Sequence, residues 1–326
     1  MRLRMGFQVW AQFVTWERLM AVGREIEGLG FDGLWSNDHL VPLAGGPDGV
    51  VDDLEGPIFE GWTVIAGWAA ATERIRLGCL VSAAGYRNPA LLVKMATSLD
   101  HMSGGRMTLG LGAGWFEREH RAFGFDLPSV GDRLDRLEEA AAIARSLLDG
   151  ETVSHAGRWF STDGARNDPA PVQDRLPLLI GGSGERRTLR IVARYADAWC
   201  ADGGDPDMLR RKNAILDEHC AAIGRDPARV RRTAGQLPAL VRANRDDAVA
   251  ALAELLVGHG LPWAAALSTA YSSPFVGTVD EVVAALRDVA GAGIEEVMFD
   301  LPLPADRETL GALAGPIRTR LGRLLA

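Results

Sequence analysis

The segment Arg74–Gly124, RIRLGCLVSAAGYRNPALLVKMATSLDHMSGGRMTLGLGAGWFEREHRAFG, constrains the fold more than any other part of the chain. Arg76–Ser82 is a short β-type run ending in small residues. Pro89 opens an amphipathic helix with Leu91, Leu92, Met95, Leu99 and Met102 at helical spacing, stopped by Gly104-Gly105. Met107–Leu111 is the next strand, and Gly110, Gly112 and Gly114 interleave with apolar residues before Trp115. One parallel β-α-β unit therefore sets two small-residue loops side by side at the C-terminal ends of adjacent strands. Ligands bind there in parallel α/β proteins.

Strand and helix signals alternate over the rest of the chain. Leu3–Val9, Gly33–Ser36, Leu178–Gly181, Ala198–Cys200, Arg231–Leu240 and Glu296–Leu301 read as strands. Helices are expected over Thr15–Leu29, Gly61–Ala71, Asp132–Leu148, Glu185–Ala196, Pro206–Ile223, Asp246–Val257, Thr278–Gly291 and Glu308–Leu325. Thr278 and Glu281 have the spacing of a capping box. About eight strands alternating with helices is the pattern of a (β/α)8 TIM barrel. Two stretches break the rhythm, the Pro-rich insertion Glu151–Pro177 with a hairpin around Gly157–Phe160 and the irregular Gly258–Gly277. With the Gly- and Asp-rich loop Ala44–Gly56 they are expected to set the substrate. They are expected at the C-terminal rim, building the substrate pocket or a lid. No repeat or linker divides the chain, so residues 1–326 are expected to form a single domain with the insertion at about 151–177.

The net charge of −8 argues against nucleic acid or an anionic membrane as partner. Cys79, Cys200 and Cys220 fit no disulfide or metal spacing, which points to a reducing, cytoplasmic setting. No stretch is long enough to span a bilayer.

Three constellations carry chemistry. Asn37-Asp38-His39 follows the second strand at the catalytic rim, where an imidazole can donate or accept a proton near neutral pH and the adjacent Asp38 can orient it or shift its pKa. A capped loop with a solvated histidine is the alternative. Gly181-Gly182-Ser183-Gly184 joins a β-run to a helix, a place where backbone N–H groups attract phosphate. It lacks the glycine order and downstream acid of a dinucleotide fingerprint, so a barrel phosphate site is the alternative to a mere tight turn. Ala113-Gly114-Trp115 follows the fourth strand, with Trp115 placed to pack on a flat ring or a substrate. Glu117 and His120 share a helical face, but no third ligand stands at a suitable spacing and no metal is expected.

At these residues the chain resembles the bacterial luciferase-like flavin and deazaflavin oxidoreductases, and more narrowly the branch that uses the deazaflavin coenzyme F420. The resemblance covers WSNDHL, the Arg74–Gly124 block, GRWF, DPAPVQDRLPLLIGGSGERRTLRIVARYADAW and VGTVDEVVAALRDVAGAGIEEVMFDLP. It implies a (β/α)8 barrel and a small-molecule substrate, with the coenzyme lying across the C-terminal rim. His39 is then the proton donor or carbonyl partner. A non-proline cis peptide at Cys79–Leu80 or Leu80–Val81 would back the deazaflavin ring. Ala113 and Gly114 would touch the coenzyme, and Gly181 to Gly184 would receive its phosphate. In the family's sugar-phosphate dehydrogenases a glutamate serves as base where Trp115 stands here, so a hydrophobic or aromatic substrate suits this chain better. A homodimer is also implied.

The leading expectation is thus an F420-dependent oxidoreductase that moves a hydride between the deazaflavin C5 and a small organic substrate. An FMN-dependent monooxygenase is the alternative within the same fold. A non-redox barrel lyase or hydrolase, or a non-catalytic cofactor-binding protein, is the alternative from another class.

Overall fold

Eight parallel strands close on themselves in the computed structural model, which describes residues 2–46, 49–51 and 54–325. They are β1 (Arg4–Val9), β2 (Gly33–Ser36), β3 (Arg76–Cys79), β4 (Met107–Gly112), β5 (Leu178–Gly181), β6 (Ala198–Asp202), β7 (Arg231–Pro238) and β8 (Glu296–Leu301). Each pairs with its neighbour in sequence. Contacts from Arg4↔Glu296 to Val9↔Leu301 join β1 to β8, and Leu178↔Leu109 through Ile180↔Leu111 join β5 to β4. Helices cover the outside, so this is the (β/α)8 barrel that the alternating pattern predicts.

Several helices begin at residues whose side chains cap them. Thr15 caps α1 (Trp16–Gly28), and Glu60 caps α2 (Gly61–Ala71). Asn88 caps α3 (Pro89–Ser103), which ends on left-handed Gly104. The short α4 (Glu117–Phe123) follows β4, and Ser129 caps α5 (Val130–Leu148). Beyond β5 come α6 (Thr188–Tyr195), α7 (Pro206–Ala221) and α8 (Arg245–Gly258). α9 is Trp263–Ser272, and α10 (Val279–Gly291) opens with the full Thr278–Glu281 capping box. The closing helix is interrupted by a π turn at Leu313–Ile317 that contains Pro316, a residue that cannot supply its helical N–H.

Inside the barrel Trp35 packs with Leu179, Ala198, Cys200 and Met298. Glycine makes room for it. A Cβ on Gly78 would stand 2.4 Å from the Trp35 ring, and one on Gly33 would stand 2.6 Å from its Nε1. On α3 the buried stripe is Leu92, Val93, Ala96 and Leu99, whereas Leu91 and Met102 point outward. This corrects the expected face by about one residue in register. Both stripes have helical spacing, and the one containing the small Ala96 lies closer to the strands.

The irregular segments differ in their use. Ala44–Gly46 and Gly49–Val51 form a short antiparallel hairpin within the expected Ala44–Gly56 loop, of which residues 47, 48, 52 and 53 lie outside the described residues. Gly258–Gly277 is ordered rather than irregular: it contains α9 and then Val276–Gly277, which pairs with Leu240–Val241. Glu151–Pro177 carries the expected hairpin, Val153–Ala156 with Ser161–Ala165. Two carboxylates fasten it to the barrel's flank. Glu139 of α5 accepts the N–H groups of Arg158, Trp159 and Phe160, and Asp100 of α3 accepts those of Val172 and Gln173. Among the described residues no helix is long and apolar enough to cross a membrane.

β3 and β4 approach so closely at their ends that a Cβ on Gly110 would stand 2.0 Å from the Cys79 carbonyl oxygen. Gly110→Ala is therefore expected to cost about 1–3 kcal/mol of stability, as overpacking does. A thermal unfolding midpoint equal to that of the native chain would overturn this reading.

Candidate active site

One cavity of about 780 Å³ opens at the C-terminal ends of the strands. Its wall on the β3, β4 and β5 side is a ledge. β3 stops at Cys79, the Leu80–Val81 peptide is cis, and Ser82–Ala83 then pairs with Leu111–Gly112. Gln8 Nε2 donates to the Leu80 carbonyl at 2.8 Å and ties the ledge to β1. The Val81 side chain fills the space above Gly112 and Gly181, where added Cβ atoms would lie 2.5 and 3.0 Å away.

The structure divides the residues singled out from the sequence. Leu80, Val81, Ala113, Gly114, Gly181 and Gly182 line the cavity, as do Asp38, His39 and Trp115. Cys79 is fully buried behind the ledge, and Ser183 and Gly184 lie beyond the lining. Glu185–Arg187 form a turn, so the glycine loop reaches α6 only at Thr188, a little later than expected. Arg187 turns away to Asp135 and the Gly131 carbonyl of α5. The insertion Glu151–Pro177 contributes no lining residue, which corrects its expected role in the pocket, while Thr269, Ser272, Ser273, Pro274 and Phe275 from the later segment do line it.

The second correction concerns the rim pair. His39 Nδ1 lies 3.0 Å from Glu119 Oε1, and the other oxygen of Glu119 accepts the Leu40 N–H at 2.8 Å. Glu119 thus orients His39, and Asp38 does not. Asp38 is instead gripped by Arg87 through two bonds of 2.6 and 3.1 Å, and Arg87 also reaches Glu60. Burial pushes the Asp38 carboxyl up, with the Arg87 guanidinium opposing. Burial also acts to raise Glu119, but its bonds with His39, Tyr86 and Leu40 outweigh it and hold the carboxyl below the usual range. With Nδ1 facing a carboxylate, Nε2 of His39 is the ring nitrogen available to a bound molecule. Trp115, about half exposed, stands edge-on to the His39 ring at 5.8 Å. Glu117 is exposed and His120 buried beside Tyr86, so this pair shares no site.

Glu119, Arg87, Gln8, Trp10, Asp202 and Asp300 are the functional candidates that sequence reasoning missed. A carboxylate closing the last strand, as Asp300 does, was a usable signal because catalytic groups of barrels sit at strand ends. Nothing local marks Arg87, whose partner is 49 positions away.

Asp300 lines the cavity at the end of β8 with the Trp10 indole as its hydrogen-bond partner, and burial pushes it from the ordinary 3.8 up to about 7. A carboxyl raised on folding favours the fold while protonated. Its ionisation therefore subtracts stability as pH climbs from about 4 to about 7, with the full loss above that. Asp300→Asn, which never ionises, should show a melting-temperature advantage over the native chain at about pH 8 that vanishes near pH 4. Parallel melting curves across that range would refute the assignment.

Comparison with known proteins identifies the family and the fold. An F420-dependent hydroxymycolic acid dehydrogenase of Mycobacterium tuberculosis is 32% identical over 246 residues, covering 74% of this chain and 63% of the relative. An F420-dependent glucose-6-phosphate dehydrogenase of Microbacterium testaceum is 30% identical over 226 residues, covering 68% of this chain and 64% of the relative. The match thus spans less than two thirds of either relative's length. An F420-dependent secondary alcohol dehydrogenase, solved with an F420-acetone adduct, superposes with a TM-score of 0.82 at 20% identity, over 98% of this chain and 99% of that one. The model of the luciferase-like monooxygenases matches residues 5–296. With a match that runs from the first barrel strand to the last, the chain belongs to the luciferase-like monooxygenase family.

Proposed function

We propose that this protein is a coenzyme F420-dependent oxidoreductase acting on a small organic molecule. The observation that carries the reading is one cavity with a flat ledge at Leu80–Val81 on one wall and a carboxylate-held imidazole, His39, on another. The two F420-dependent relatives supply the identity of the coenzyme. The residues present fit such a group. Gly112, Ala113 and Gly114 leave a shallow wall, and Gly182, at φ +114°, adopts a backbone shape few other residues accept. Thr188 lines the adjoining end of the cavity, and Lys212 donates to the Ser183 carbonyl from behind the loop, placing a positive charge near the expected phosphate.

When bound, the coenzyme supplies a ring carbon, C5, able to exchange a hydride with substrate carbon. The chain's own residues do the rest. Leu80 and Val81 support the ring from behind, and Ala113, Gly114, Gly181 and Gly182 fix its position. His39 Nε2 takes the proton from a substrate hydroxyl or returns it to a carbonyl oxygen. Glu119 holds the imidazole through Nδ1 and fixes its orientation. Asp38 with Arg87 anchors the loop that carries His39, acting as a positioning residue. Trp115 gives the substrate an apolar face. The three cysteines, all free and buried, suit a cytoplasmic protein, and we read the full chain as one catalytic domain that pairs as a homodimer.

Titration of the purified protein should show F420 binding more tightly than FMN. The reverse preference moves the protein to the flavin monooxygenases, with oxygen uptake as the next assay, and binding of neither removes the redox reading. His39→Ala should lower kcat by about 100-fold or more with little change in F420 affinity. Glu119→Gln should lower it less and shift the pH profile. Unchanged turnover in His39→Ala would dismiss the proton-transfer role.

A further inference from the structure

The lining of the cavity is unusual in charge. Among the described residues it includes four carboxylates, Asp38, Glu119, Asp202 and Asp300, and no lysine or arginine. The neighbouring guanidiniums are turned elsewhere: Arg87 to Asp38 and Glu60, Arg118 to the Leu54 carbonyl and Glu55, and Arg133 to the Gly114 carbonyl. Three of the four acids are matched inside the protein. Asp38 has Arg87, Glu119 has His39, and Asp202 has the Ser183 hydroxyl and the nearby charge of Lys212. Asp300 faces the Trp10 indole and, among the described residues, forms no ion pair.

The position of Asp300 is also defined. It stands opposite Gln8 of β1 and Pro238 of β7, at the end of β8. The Trp10 ring is fixed edge-on against His259 at 5.3 Å, so the group facing Asp300 is not free to leave it. His39 follows β2, on the other side of β1 from β8. Two strand spacings, roughly 10 Å, therefore separate the proton-transfer end of the cavity from Asp300. Phe275 and Leu237 supply apolar wall on the Asp300 side.

We propose that Asp300 is the residue that selects the substrate: it hydrogen-bonds a hydroxyl carried by an uncharged, elongated, mainly apolar molecule, at the end remote from the reacting carbon, and turns away molecules with a carboxylate or phosphate there. This rests on the oxidoreductase reading, which places the reacting carbon near His39. The charge argument is direct. A carboxyl on the cavity wall with no cation beside it repels a second anion, and among the described residues the neighbouring guanidiniums are engaged elsewhere. A hydroxyl both donates and accepts, so it satisfies Asp300 in either protonation state.

Calorimetric titration of the native protein, with and without F420, tests this using 1-hexanol, 1,6-hexanediol and 6-hydroxyhexanoate as probes. The diol should bind about tenfold more tightly than hexanol, the yield of one added hydrogen bond to a partly buried carboxyl, and the hydroxy acid more weakly than either. Asp300→Leu should keep hexanol binding and lose the preference for the diol. Asp300→Asn should restore part of that preference and admit the hydroxy acid. In the F420-loaded protein the same ranking should appear in kcat/KM for coenzyme reduction. The probe ranking holding while F420 fails to bind would keep Asp300's role and remove the coenzyme reading. No preference for the diol in the native protein, retention of it in Asp300→Leu, or binding of none of the three probes would overturn the proposal.

Discussion

The approach of β4 to the end of β3 decides how the site is built. Gly110 passes beneath the Cys79 carbonyl, and Val81 then stands over Gly112 and Gly181. A side chain at any of these glycines would meet backbone or Val81, and the ledge at Leu80–Val81 would have to move. The shape of the cavity wall follows from that contact, and so does the bond from Gln8 that ties the ledge across to β1. Trp35, wedged under Gly78 in the barrel interior, supports the same strand from within.

This contact changes the meaning of the small residues around β4. Read as sequence, the glycines of GLGAG mark a loop kept open for a ligand. In the structure Gly110 and Gly112 answer first to the protein's own packing, and Gly114, at φ +77°, to its backbone shape. The position of the site was legible because strand ends in parallel barrels are where loops converge. Which loops contribute was not. The Pro-rich segment and the later one looked alike on paper. Asp100 and Glu139 pin the first to the outside of α3 and α5, while α9 leads the second over the cavity mouth. Long-range carboxylate contacts of this kind have no local signature.

The pairing of charges was the least legible layer. Adjacency suggested that Asp38 orients His39, yet at the end of a strand neighbouring side chains point to opposite faces. Asp38 accordingly turns to Arg87, and Glu119 comes from a helix two strands away to meet the imidazole. The outcome is a division of labour between two buried acids. One is neutralised by a permanent cation and serves the scaffold. The other meets a cavity-lining imidazole and a backbone N–H, with no guanidinium on it among the described residues.

The short helix α4 connects parts of the chain that seem independent. Its Glu119 faces inward to His39 and Leu40, and the adjacent Arg118 reaches out to the Leu54 carbonyl and Glu55. The connection between β2 and α2 is therefore held at both ends by one turn of a helix that follows β4. Its length and sequence are not free to drift alone, because a change that displaces Leu54 pulls on the same turn that sets the tautomer of His39. Two loops that would be counted as separately variable surface are thus joined into a single mechanical unit, and a change in one is felt in the other.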